Sequence, residues 1–196
     1  MSHREMMQAK SEQLMPEGPA MLGSPARSAL REAAAALDLA ERYQQPLEMS
    51  LALAQMARCY RALQALGPAE LYLERALAWA RTLGAADQAV EILCLLAETS
   101  CSMAELHARD DSRRSHAALE RTRDRAFEAA GLAAHVTDSQ WEVKVLLRIS
   151  DVLDCCGDHE DAVELQSRAM RLMYGPHAGP DAASGLPPGL QTLSDG

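Results

Sequence analysis

Residues 46–80, PLEMSLALAQMARCYRALQALGPAELYLERALAWA, decide the fold. Leu53, Met56, Ala57 and Tyr60 recur at three- and four-residue steps, and Ala69, Leu73 and Ala76 do the same further along. That period gathers each set onto one face of an α-helix. Gly67-Pro68 separates the two sets, and a proline that lacks an N–H is tolerated only at the opening of a helix. The stretch therefore reads as two helices in succession. Its alanines let the two approach closely, and its leucines and methionine fill the space around the contact.

Working outward, the same spacing returns near the C-terminus. Leu146, Ile149, Ser150 and Leu153 stand at the offsets of Leu53 to Tyr60, Gly157 closes the turn, and Ala162, Gln166 and Ala169 follow. Between these units, Leu93, Leu96, Ala97 and Ser100 repeat the first half, and Leu119, Arg123 and Ala126 repeat the second after an insertion. Ahead of them, Ala29, Ala33 and Ala36 fit a second half alone. Helix starts are marked by Ser24-Pro25, Pro46 with Glu48, Pro68 with Glu70, the capping-box spacing of Thr137 and Gln140, and Asp158 with Glu160 and Asp161. Together these predict seven helices over 25–43, 46–65, 68–84, 86–108, 112–134, 138–156 and 158–174. The chain divides into an N-terminal segment 1–23 expected to be flexible, a helical repeat domain 24–174, and a Gly/Pro-rich tail 175–196 expected to be flexible.

This pattern resembles the tetratricopeptide repeat in its divergent bacterial form. The family puts a large residue, then Leu and a small residue, then Tyr on the first helix of each unit, and small or aromatic residues on the second. The resemblance implies an all-α fold, a right-handed superhelix of antiparallel helix hairpins. It also implies a concave groove lined by the first helices. Carried over residue by residue, that groove comprises Leu51, Ala54, Arg58, Arg61 and Ala62, then Glu91, Cys94, Glu98, Cys101 and Ser102, then Lys144, Leu147, Asp151, Asp154 and Cys155. Arginines stand at one end and carboxylates further along, a layout that suits a peptide with an acidic end and a basic stretch. The family's Lys/Asn clamp for a C-terminal carboxylate is not matched, since Ala54 and Arg58 stand where it would begin.

Composition agrees with an all-α class and bounds the function. The apolar fraction is 48% but aromatics supply only 4%, so the core is built from Ala, Leu, Met and Val. A net charge of −9 argues against nucleic-acid binding, which needs a basic face. The densest basic run, Arg109, Arg113, Arg114, Arg121, Arg123 and Arg125, is interleaved with Asp110, Asp111, Glu120 and Asp124, and reads as a solvated helix face. Met1 to Leu22 lacks the apolar run of a signal peptide and no stretch is long enough to span a bilayer, so a cytoplasmic protein is expected.

Five cysteines, Cys59, Cys94, Cys101, Cys155 and Cys156, form no C-x-x-C pair and read as small buried hydrophobes in a reducing compartment. Cys94 and Cys101 with Glu91 and Glu98 share a helix face, but without a suitably spaced His they favour packing over a zinc site. Adjacent Cys155 and Cys156 should divide, one thiol toward the core and one away, with a redox role as the sharper reading. His107 and His116 flank Asp110-Asp111 and read as surface residues. No glycine-rich phosphate loop, nucleophile elbow or H-E-x-x-H is present, so neither catalytic residues nor a cofactor nor a metal are expected.

The last predicted helix carries two apolar stripes. Ala162, Leu165, Ala169 and Leu172 can pack inward, while Val163, Met170, Met173 and Tyr174 form a second face open to homodimerisation, to a partner, or to fold-back of Leu186, Leu190 and Leu193. The expected function is a protein-interaction scaffold or adaptor in a bacterial regulatory or signalling system, with no nucleic-acid or membrane partner. The alternative is a small acidic secretion-type chaperone cradling an exported client.

Overall fold

The computed structural model describes residues 25–136 and 138–175. The segment 1–23, the expected cap Ser24, Thr137, and residues 176–196 with Leu186, Leu190 and Leu193 lie outside the described residues. Among the described residues the fold is all-α, with seven helices: α1 Pro25–Arg42, α2 Pro46–Ala62, α3 Leu66–Thr82, α4 Ala86–His107, α5 Ser112–Ala133, α6 Ser139–Cys155 and α7 His159–Tyr174. Each helix packs on the next in sequence, and α4 also packs on α6. None of them is long and apolar enough to cross a membrane.

The core follows the periodicity in the sequence. Leu53, Leu73, Leu93, Leu96, Leu146, Ile149 and Leu153 are fully or almost fully buried, each contributing roughly 2 kcal/mol relative to an exposed side chain. Ala57, Ala69, Ala76, Ala97, Ala126, Ala162 and Ala169 are buried beside them and set the close approach of the helices. Ser50 adds a polar tie: its hydroxyl donates to the Ala76 carbonyl at 2.8 Å and accepts from Gln88 Nε2 at 2.8 Å, joining α2, α3 and α4.

Four of the turns share one mechanism. Gln44, Gln64, Gly84 and Gly157 adopt left-handed backbone with φ of 51, 59, 65 and 86°. In each turn that residue's N–H donates three residues back. The next N–H donates five residues back, as in Ala65 to Tyr60 and Asp158 to Leu153, at 2.9 and 3.0 Å. This arrangement satisfies the carbonyls left free at a helix end.

Several local expectations are corrected. The second helix stops at Ala62, not at residue 65, because the turn is made at Gln64. Helix α3 consequently opens at Leu66, with Gly67 and Pro68 inside its first turn. The cap of α6 is Asp138, whose carboxylate accepts from the Gln140 and Trp141 N–H groups at 2.9 and 3.1 Å. The buried stripe of α1 is Ala33, Leu37 and Ala40, whereas Ala36 is exposed. In α5, Ala126 is buried as expected, but Ala118 and Thr122 take the buried places expected of Leu119 and Arg123, and Arg123 is exposed.

The basic run is a solvated face at Arg109, Arg113, Arg114 and Arg123, but not at Arg121 and Arg125. The Arg125 side chain is only 12% exposed; its guanidinium pairs with Glu70 at 2.9 Å, with Glu74 and with the Ser100 hydroxyl, and also reaches the Leu96 carbonyl. Arg121 Nε lies 3.4 Å from the same Glu70 carboxylate. Arg81 pairs with Glu128, and Arg123 with Asp158 and, at 4.0 Å, Asp161. These contacts tie α5 to α3, α4 and α7. Arg109 and Arg113 remain exposed, Arg114 pairs with Asp111 at 3.2 Å, and His116 reaches Glu120 at 3.4 Å within its own helix.

Candidate functional site

The predicted groove residues lie on α2, α4 and α6. On α2, Leu51, Gln55, Arg58 and Ala62 are exposed at three- and four-residue steps, so they form one face of the helix. On α4 the corresponding open positions are Glu91, Glu98 and Ser102, all half-buried, followed by exposed Glu105. On α6 they are Lys144, Leu147, Asp151, Asp154 and Cys155, all exposed.

Ion pairs bring the three faces together. Arg61 of α2 donates to Glu98 Oε2 of α4 at 2.6 Å. Arg148 of α6 pairs with the other Glu98 oxygen and with Glu91 at 3.0 Å. The Glu98 carboxylate thus lies between two arginines. Burial raises its pKa, but the hydrogen bonds and charges of Arg148 and Arg61 outweigh that effect and hold it below the usual carboxylate range. Glu98 is therefore ionised at neutral pH and bridges α2 to α6.

This geometry changes the predicted charge layout. Arg61, Glu91 and Glu98 neutralise one another through Arg148, a residue outside the predicted groove set. Among the described residues Arg58 contacts Gln55 of its own helix at 3.5 Å, and its side chain is exposed. At the other end Lys144 and Asp151 are exposed, and Asp154 contacts His159 Nδ1 at 2.5 Å.

Three predicted residues do not line an open surface. Ala54 is 4% exposed, Cys94 1% and Cys101 8%. They face the packing between helices, whereas all five corresponding positions of α6 stay exposed. Burial pushes the Cys94 thiol up to about 12, so it remains protonated and acts as an apolar filler. Among the described residues no group of three or more metal-ligating side chains could hold a metal ion.

Beside Arg58 an open cleft of about 450 Å³ lies between α1 and α2. Ala29, Ala33, Ala36 and Leu51 form its apolar floor, and Glu32, Glu48 and Arg58 its charged rim. At the far end of the chain, α7 buries Ala162, Leu165 and Ala169. Leu172, expected on the inward stripe, is 39% exposed and joins Val163, Met170, Met173 and Tyr174 on the outer surface, because among the described residues α7 has a helix on one side only.

No family model matches the chain, and no curated protein matches it. Among solved structures the chain is similar to the crystal structure of BtubC (BKLC) from P. vanneervenii, at 13% identity and a TM-score of 0.26, over 88% of this chain and 98% of that one. A similarity at that TM-score carries no argument about fold detail or function.

Proposed function

We propose that the chain is a cytoplasmic protein-interaction scaffold of the tetratricopeptide type, a right-handed superhelix of antiparallel helix pairs. It holds a peptide or protein segment along the face shared by α2, α4 and α6, as an adaptor in a bacterial regulatory or signalling system. The observation that carries this reading is the Arg61–Glu98–Arg148 bridge. It fixes three helices into one surface before any partner arrives, which lowers the ordering cost of binding. The side chains left for recognition are Leu51 and Arg58 beside the α1–α2 cleft, then Lys144, Leu147, Asp151 and Asp154. A matching segment carries an apolar side chain and a carboxylate near Arg58 and a basic group near Asp151 and Asp154.

The test is affinity capture from native lysate with quantitative mass spectrometry. Wild type is compared with a variant carrying Arg58→Glu, Lys144→Glu and Asp151→Lys, which leaves the structural bridge intact. The expected result is a partner depleted by about tenfold or more at unchanged helical content. Equal capture by both proteins would reject this face as the binding surface.

A second surface favours self-association. Val163, Met170, Met173 and Tyr174 of α7 are 59, 41, 48 and 69% exposed and adjoin one another on the terminal helix. We propose a homodimer through this face. Sedimentation equilibrium at micromolar concentration should give twice the chain mass, and a monomeric mass would reject it.

A further inference from the structure

Two of the five cysteines meet across helices that are distant in sequence. Cys101 lies in α4, 8% exposed, and Cys156 caps the C-terminus of α6, half-buried. Their sulfurs are 3.4 Å apart and both thiols are free. Neighbouring Cys155 is exposed instead. A disulfide requires a sulfur separation of about 2.05 Å, so a shift of roughly 1.4 Å closes the pair. Cys156 can supply it: it stands at the helix end, followed by Gly157 in a left-handed turn, outside the rigid part of α6.

We propose that Cys101 and Cys156 form an oxidisable dithiol that, on exposure to hydrogen peroxide, closes into a disulfide tethering α4 to the α6–α7 turn. Cys156 is the attacking sulfur. Its thiolate is favoured by the Cys101 S–H as donor, against an opposing effect of burial, and by the Thr122 hydroxyl, so its pKa is lowered. The Cys101 thiol is raised by that same interaction and by burial, which suits the resolving partner that gives up its proton last. Cys155 is raised by desolvation and then by the neighbouring Cys101 sulfur and the Glu105, Asp154 and Asp151 carboxylates, which makes it the poorer nucleophile despite its exposure.

The step balances. The Cys156 thiolate attacks one peroxide oxygen; the S–O bond forms, the O–O bond breaks, and hydroxide leaves to take a proton as water. The Cys101 sulfur then attacks the Cys156 sulfenic acid. The S–S bond forms, the S–O bond breaks, and the departing oxygen takes the Cys101 proton to leave as the second water. Two thiols are oxidised and one peroxide is reduced. The tether closes a loop of about 55 residues and restricts the unfolded chain.

The experiment uses the full chain, reduced, desalted and treated with hydrogen peroxide, with intact mass and non-reducing peptide mapping as readouts. The expected product has lost the mass of two hydrogen atoms, yields one linked peptide pair containing Cys101 and Cys156, and reverts with dithiothreitol. Its Tm rises by about 10 °C over the reduced form. Cys156→Ser and Cys101→Ala each abolish the link, and Cys155→Ser keeps it. A link through Cys155, a disulfide between two chains, or oxygen addition at Cys156 without a link would overturn the proposal. The peptide map of the wild-type protein decides the matter even if a variant fails to fold.

Discussion

Two sets of interhelix ion pairs use the same chemistry to different ends. Arg125 with Glu70, Glu74 and Ser100 is enclosed between α3, α4 and α5, its side chain 12% exposed. Arg148 with Glu91 and Glu98, joined by Arg61, lies on the face shared by α2, α4 and α6, with Arg148 33% and Arg61 25% exposed. An arginine closed off from water has no solvent to replace a lost partner, so the first cluster holds the fold. The second stays open to solvent while its ion pairs hold α2, α4 and α6 in one geometry. Burial, not residue type, separates the ion pairs that hold the fold from those on the face proposed for recognition.

The comparison predicts a graded series. Replacing Arg125 by Met leaves the Ser100 hydroxyl without its donor and Glu70 with only the longer Arg121 contact at 3.4 Å, and should cost about 2 to 3 kcal/mol in urea unfolding. A cost no larger than that of an exposed pair would remove the distinction between the two clusters. Adding Glu70→Leu to Arg125→Met should cost less than the sum of the two single changes, since both act on the same ion pair.

Arg148→Ala should cost about 1 to 2 kcal/mol at neutral pH, because Glu98 keeps Arg61 and access to water. This cost depends on pH. The folded pKa of Glu98 is depressed, so its contribution is present above the unfolded value of about 4.3 and is lost as pH falls through the folded value. The gap in stability between wild type and Arg148→Ala should therefore narrow on acidification below about pH 4. A gap that stays constant would show that Glu98 is not held ionised by these arginines. Smallest of all, Arg81→Ala removes a pair whose side chains are 53 and 40% exposed, and the expected change is within about 0.5 kcal/mol.

Much of the fold was legible because close-packed helices impose a strict period. Leu53, Ala57, Leu73, Ala76, Leu146 and Leu153 are buried as their spacing requires. What escaped has physical reasons. Gln44 and Gln64 make left-handed turns that Gly84 and Gly157 make elsewhere, and nothing in a glutamine announces a positive φ. Threonine and aspartate both suit a helix cap, and the capping-box spacing pointed to Thr137 where Asp138 makes the bonds. The α5 register slipped because an alanine-rich helix offers several nearly equivalent small stripes. Arg125 looked solvated because its partners, Glu70 and Glu74, are about fifty residues away in sequence.

At the candidate site, Arg148 was missed although it lies four residues after Lys144 and three before Asp151, a spacing that places all three on one face. Family positions named Leu147 in its stead. Cys94 and Cys101 were placed on the groove by the same positions, yet their side chains are small and apolar enough to be drawn into the packing. The meeting of Cys101 with Cys156 depends on how α4 and α6 pack, which no local pattern encodes.

The most direct test of the central claim is hydrogen–deuterium exchange on the chain with and without its captured partner. The predicted result is slowed exchange in peptides covering the open faces of α2, α4 and α6 around Arg58, Glu98 and Asp151, with α3 and α5 unchanged. Protection confined to α3, α5 or α7 would contradict it and move recognition to the surface assigned here to holding the fold.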